Sequence, residues 1–305
     1  MHPAYSVIVF TTLSGTGYGL AAFLCLGMLP PSLAGGLIGF ALAGVMIAGG
    51  LISSTFHLRH PERAWRAFSQ WRSSWLSREG VLAIVFFVPF GLAGLGFTFF
   101  DALWTVPAGL TVFLALATVF ATSMIYASLK SVHAWYTPLT SLTYVGFAAS
   151  GGGLVFLTLG AFLGGLPVWM PNLVMIVLAF AWAAKGLWWW RTARESSAST
   201  PESATGLGDF GPTRLLDPPH SEANYLMREM GYAVGRRHAA KLKLVALGFG
   251  LVVPLLAIRL GMTTAPAGFA LLAALSHYVG LLVERWLFFA EARHTVMLYY
   301  GRAAA

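Results

Sequence analysis

The sequence predicts an all-α membrane protein: eight transmembrane helices, both termini cytoplasmic, and one interfacial helix between helices two and three. Three observations predict it. Of 305 residues, 57% are hydrophobic and only 10% are charged, whereas a water-facing surface draws on about 25% charged residues. Several apolar runs reach the roughly 20 residues that cross a bilayer. The basic residues also gather at one set of loops, which is how a polytopic chain fixes its orientation. A soluble enzyme, a secreted disulfide scaffold and a disordered chain are thereby excluded.

Taken in order, the spans are read at 6–28, 34–56, 80–100, 102–126, 139–163, 168–190, 240–260 and 267–290. No basic region precedes the first, so it reads as a retained span and not as a cleaved leader. The seventh is short in uncharged residues, and Lys241, Lys243 and Arg259 would snorkel to the two surfaces. An even number of spans puts both termini on one side. Every Lys and Arg except Arg259 then falls at that side, in its loops or at their borders. By the positive-inside rule it faces the cytoplasm. The chain reads as one polytopic domain, 1–305, with a long cytoplasmic loop at 191–239. The first half of that loop, Glu195 to Pro219, is rich in Ser, Pro, Gly and Thr and reads as flexible or draped. The second half, Ser221 to His238, has helical potential. It is read as a contact for a partner, the alternative being a helix lying on the protein's own surface.

Other totals narrow the class. Cys25 is the sole cysteine, so neither an internal disulfide nor a four-thiolate iron–sulfur cluster can form within the chain. The net charge of +8 is read as loop charge that sets topology, with no nucleic-acid partner. Gly15, Gly17 and Gly19 fall inside a span with no strand before them, which is helix packing and not a nucleotide loop. His277 alone among the eight histidines lies deep in a span. A bis-histidine haem therefore lacks its second ligand, and no metal site is expected.

The densest chemistry runs from His57 to Glu79. Pro61 suits the first position of a short helix, and Ala64, Trp65, Phe68 and Trp71 would share an apolar face lying among lipid headgroups. His57 closes the second span and Glu79 opens the third, so an imidazole and a carboxylate bracket the loop at one depth. Ionisable groups there are costly unless they pair or serve a site. The pair can be a structural staple between two helix ends. It can equally exchange protons with a quinone, Arg63 holding Glu79 ionised or bonding a quinone carbonyl. Arg285, near the end of the eighth span, is expected to lock helices through Glu284 or Glu291.

The stretch His57-Leu-x-x-Pro61-x-Arg63-Ala64, followed by Leu76-Ser77-x-Glu79, resembles the membrane anchor subunits of bacterial dimethyl sulfoxide reductases. Those are haem-free, eight-helix proteins of the wider polysulfide/nitrite-reductase anchor superfamily. His2-Pro-Ala-Tyr-Ser-Val-Ile8 and Asn224-Tyr-Leu-Met-Arg-Glu-Met-Gly231 look closer to the anchors of cytoplasmic-facing, membrane-bound sulfite dehydrogenases. The resemblance implies a three-part enzyme in the bacterial inner membrane. A molybdopterin catalytic subunit and a ferredoxin-like iron–sulfur subunit would sit on the cytoplasmic face, with this chain as the anchor. It implies that ubiquinone or menaquinone is held by His57, Arg63 and Glu79, with His57 and Glu79 moving the protons. The expected reaction is reduction of quinone with electrons from sulfite oxidation. The alternatives are a quinol-oxidising anchor of a dimethyl sulfoxide reductase-like enzyme and, from another class, a secondary transporter.

Overall fold

The computed structural model describes residues 3–56, 58, 60–194, 199–217, 222, 224–230, 238–262 and 264–302. Eight helices are long and apolar enough to cross a membrane: α1 (Tyr5–Cys25), α2 (Leu33–Thr55), α3 (Trp75–Phe99), α4 (Thr105–Ala127), α5 (Pro138–Leu163), α6 (Met170–Arg194), α7 (Ala239–Gly261) and α8 (Pro266–Ala290). The chain is a multi-pass membrane protein. Odd-numbered helices begin, and even-numbered helices end, at the loop-rich end of the bundle. That end carries a 3₁₀ segment, Pro61–Gln70, and short helices at Pro201–Thr205 and Tyr225–Met230.

Helix α3 starts at Trp75, five residues before the expected 80. The charges of Arg78 and Glu79 look like a span boundary in sequence. Ser74, however, caps the helix by accepting from the Ser77 N–H at 3.5 Å, so the charged pair lies within the first turns.

Lipid offers no hydrophobic drive for one helix to join another, so association rests on close packing and internal hydrogen bonds. Helix α1 is the most enclosed of the eight, with 72% of its apolar window buried. It reaches that position by losing side chains. A Cβ on Gly19 would fall 1.8 Å from the Ala148 carbonyl oxygen, and one on Gly152 would fall 2.2 Å from the Gly19 carbonyl carbon. The backbones of α1 and α5 therefore touch. Gly250 and Gly280 repeat the device between α7 and α8, where a Cβ on Gly280 would meet the Gly250 Cα at 2.3 Å.

Helix α7 contains one π turn, Gly248–Val252, and α8 repairs it. The Val253 N–H bonds back to the Gly248 carbonyl, and Pro254 has no N–H to offer. The carbonyls of Phe249 and Gly250 consequently lose their ordinary α-helical donors. Ser276 Oγ donates to the first at 2.7 Å, and His277 Nδ1 donates to the second at 2.6 Å. His277 Nε2 then accepts from Ser150 of α5 at 3.1 Å. Both ring nitrogens of this buried histidine are used, and its role is to tie three helices.

Part of the long loop is folded where the composition pointed to a draped strand. Thr200 caps the Pro201–Thr205 turn in a capping box. Glu202 accepts from the Thr213 N–H at 2.8 Å, and hydrogen bonds from Thr200 and Thr213 hold its carboxyl down at about 2. Tyr299 donates to the Ala204 carbonyl at 2.9 Å, and Asn224 donates to the Tyr300 hydroxyl at 3.1 Å. The C-terminal segment thus holds the loop down. Residues 231–237, part of the expected partner helix, lie outside the described residues.

His277→Leu should lower stability by about 1–3 kcal/mol, the cost of an orphaned buried carbonyl. Adding Pro254→Ala, which returns an N–H to Gly250, should recover part of the loss. Thermal midpoints of the detergent-solubilised protein check both steps.

Candidate functional site

Glu79 is positioned by the loop that folds over the start of α3. Ser77 donates its hydroxyl to the Ala67 carbonyl of the 3₁₀ segment. Arg78 donates from Nε to the Trp71 carbonyl at 3.0 Å and from Nη2 to the Arg72 carbonyl at 2.7 Å, while its guanidinium lies 4.3 Å from the Trp75 ring centre. Phe68 packs over Gly80, where a Cβ would come within 2.9 Å of its ring. With Arg78 and Gly80 turned toward the loop, Glu79 points into the bundle and is only 5% exposed.

Its partner is Thr122 of α4, whose hydroxyl donates to the Glu79 carboxylate. The same Thr122 oxygen lies 3.0 Å from the Thr118 carbonyl. A hydroxyl carries one proton, so the two contacts serve two states. Ionised Glu79 accepts from Thr122. Protonated Glu79 donates to Thr122, which turns its own proton to Thr118. The carboxyl is therefore satisfied with or without its proton, although buried among apolar side chains. No ion pair to Glu79 is present among the described residues. The hydroxyls of Tyr18, Tyr126 and Tyr144 lie within electrostatic reach of it.

Among the residues singled out in sequence, the structure brings Glu79 into the bundle. Arg63 is more than half exposed on the 3₁₀ segment, 3.7 Å from Glu62, and is not the counter-ion of Glu79. His57 lies outside the described residues.

A second buried set is half legible in sequence, which gives Arg285 and Glu284 but not Lys185. Lys185 of α6 and Glu284 of α8 are both fully buried and 2.7 Å apart, and Arg285 pairs with the other Glu284 oxygen. The Arg285 guanidinium lies 4.1 Å from the Tyr144 ring centre, and the Lys185 ammonium 3.7 Å from that of Trp188. Arg285 is expected to lock helices, and Glu284 is its partner. Glu291 instead pairs with Lys243 at 2.7 Å near the surface. In sequence Lys185 reads as part of the basic border of the loop, because Trp188-Trp189-Trp190-Arg191 follows it. The available signal is its position, a turn inside that aromatic belt. Two cations and one carboxylate leave this cluster one positive charge in excess. Together with ionised Glu79, the buried set is neutral.

Beside α4, an apolar cleft of about 800 Å³ opens between the loop-rich ends of α4 and α5, lined by Phe120, Met124, Ser141 and Leu142 among others. Ser141 of its lining accepts from Ser123, adjacent in sequence to Thr122, at 2.8 Å. Phe120 makes an edge contact with Trp75 at 6.1 Å. The cleft thus runs along the next face of the helix that holds Glu79. No group of three or more His, Cys, Asp or Glu side chains suited to a metal occurs among the described residues.

Comparison with known proteins places this architecture. Residues 1–290 match the family model described as DMSO reductase anchor subunit (DmsC). A sulfite dehydrogenase subunit from Allochromatium vinosum is 33% identical over 334 aligned positions, covering the whole of both chains. The chain belongs to the dimethyl sulfoxide reductase anchor family.

Removing one partner of a buried ion pair costs about 3–5 kcal/mol because the other charge is stranded. Glu284→Gln strands two cations and should lower the thermal midpoint in detergent more than Lys185→Met, which leaves Glu284 paired with Arg285. Equal losses would contradict the assigned pairing.

Proposed function

We propose that this anchor is the quinone-reactive subunit of a molybdenum and iron–sulfur oxidoreductase in the bacterial cytoplasmic membrane. It takes electrons from an iron–sulfur partner and reduces quinone during oxidation of sulfite to sulfate. The observation that carries the reading is Glu79: a carboxyl inside a bundle of this family, hydrogen-bonded so that either protonation state is satisfied. Membership of the family supports an anchor role, and the name of the relative supports sulfite as the donor. Ubiquinone or menaquinone supplies two-electron, two-proton redox chemistry when bound, and a buried carboxyl that can gain or lose a proton fits that group.

In this reading His57 and Glu79 hold the quinone head. Glu79 gives up its proton at the carboxyl oxygen and Thr122 re-forms its bond to the resulting carboxylate. Arg63 belongs to the loop that covers the site, where its guanidinium contributes positive charge. The apolar wall of α4 and α5 excludes water. The 3₁₀ segment lies at the lipid headgroups: Trp65 and Trp71 are exposed, and each carries an Arg guanidinium over its ring, Arg66 at 5.6 Å and Arg72 at 5.4 Å. The iron–sulfur and molybdopterin subunits dock at the loop-rich, basic end, taken as cytoplasmic by the positive-inside rule. The second reading runs the same site in reverse, oxidising quinol for a reductase, and the description of the matched family favours it.

In the purified complex, His57→Ala or Glu79→Gln should abolish sulfite-driven quinone reduction while sulfite oxidation with a soluble dye persists. Loss of both activities together would refute the site. Failure of the wild-type complex to oxidise sulfite, with quinol-driven sulfoxide reduction in its place, would decide for the second reading.

A further inference from the structure

A small cavity lies between α1, α5 and α8, at the level of the buried ions and apart from the quinone site. Its volume is about 20 Å³, and Thr11, Thr12, Thr16, Tyr144, Phe147 and Arg285 are among its walls. Three polar atoms of those walls are sealed from solvent with hydrogen-bonding capacity unused: Thr12 Oγ1, the Tyr144 hydroxyl and Arg285 Nη2, the Tyr144 hydroxyl and the Arg285 guanidinium also lying within reach of each other. Their residues are 3%, 5% and 3% exposed, respectively. One such orphan is costly in a bundle surrounded by lipid, and the guanidinium cannot escape the cost by losing its proton. A cavity needs about 10–15 Å³ and two to four polar partners to hold a water. This one has the room for a single water and three partners.

We propose that the cavity binds one water molecule, which joins α1, α5 and α8 and sets the direction of the Tyr144 hydroxyl. Arg285 Nη2 can only donate, so it takes one lone pair of the water. The two hydroxyls take the remaining positions, each able to donate or accept.

The water has a second consequence, which rests on the reading of Glu79 as the proton-exchanging group. Tyr144 stacks on Tyr126 with ring centres 5.8 Å apart, and its hydroxyl lies within electrostatic reach of both Arg285 and Glu79. The groups that face Glu79 are Tyr18 of α1, Thr122 and Tyr126 of α4, and Tyr144 of α5. Of these, Tyr144 carries the Arg285 guanidinium of the Lys185–Glu284–Arg285 cluster over its ring. The water adds Thr12 to the contact that the Arg285 guanidinium makes with Tyr144, whose hydroxyl lies within electrostatic reach of the carboxyl. Tyr144 and Thr12 are thus positioning residues.

Cryo-electron microscopy of the intact wild-type complex, at a resolution that shows ordered water, tests the site directly. Density within hydrogen-bond distance of all three atoms is expected. An empty cavity in a map showing other buried waters would overturn the site, as would density replaced by bromide on exchange. For the second consequence, Thr12→Val and Tyr144→Phe should each lower kcat for quinone reduction about five- to tenfold, the size of one lost hydrogen bond. KM should hold and the solvent deuterium isotope effect should change, and Thr12→Ser should restore the rate. Wild-type turnover in both variants would overturn the positioning role. Glu79→Gln is measured beside them. If it still reduces quinone while the water density is present, the functional reading fails and the water site stands.

Discussion

Inside a bilayer no solvent completes an unpaired charge, so every buried ion of this protein must be answered from within the bundle. That constraint organises the loop-rich third of the molecule. Lys185 and Arg285 share Glu284, and the excess positive charge faces an aromatic layer with Glu79 beyond it. Glu79 has no cation of its own among the described residues and depends on Thr122. A carboxyl held by a rotating hydroxyl is less committed to one protonation state than a carboxyl in a salt bridge. In the proposed function the two sites divide labour: Glu284 is locked, and Glu79 exchanges its proton.

The same constraint explains the fold elsewhere. Glycine-lined seams let α1 and α5 approach to backbone contact, which places α1 at the centre and makes it the common wall of the water cavity and the Tyr18 side of Glu79. In α7 the π turn and Pro254 open two carbonyls, and α8 supplies Ser276 and His277 to close them. His277 is thereby committed to backbone repair, and in the proposed function proton chemistry falls to groups near the membrane border.

Much of this was legible in the sequence, because span length and the sidedness of basic residues are one-dimensional signals. The eight helices follow from apolar length alone, and Glu79 stands out as a charge beside an apolar run. The depth of Lys185 was not legible: an aromatic belt and Arg191 follow it, and only its distant partner Glu284 reveals that it is buried. The exposed position of Arg63 was not legible for the converse reason. Sequence proximity to Glu79 says nothing about which way Pro61 and the 3₁₀ turn send it. The role of Thr122 was equally hidden, since a threonine in an apolar helix ordinarily bonds its own backbone and only the fold brings α3 against it. The capped turn at Pro201–Thr205 was hidden because its anchor, Tyr299, lies far along the chain.

The central claim is that the Glu79 carboxyl changes protonation as quinone is reduced. Redox-induced infrared difference spectroscopy of the intact complex, poised before and after quinone reduction, observes that change as a carboxylic C=O stretch that shifts in heavy water. Such a band is expected in the wild-type complex and should disappear in Glu79→Asn, with the other carboxyl bands unmoved. An unchanged difference spectrum in the variant would contradict it, and Glu79 would then be a structural carboxyl and not the proton-exchanging group.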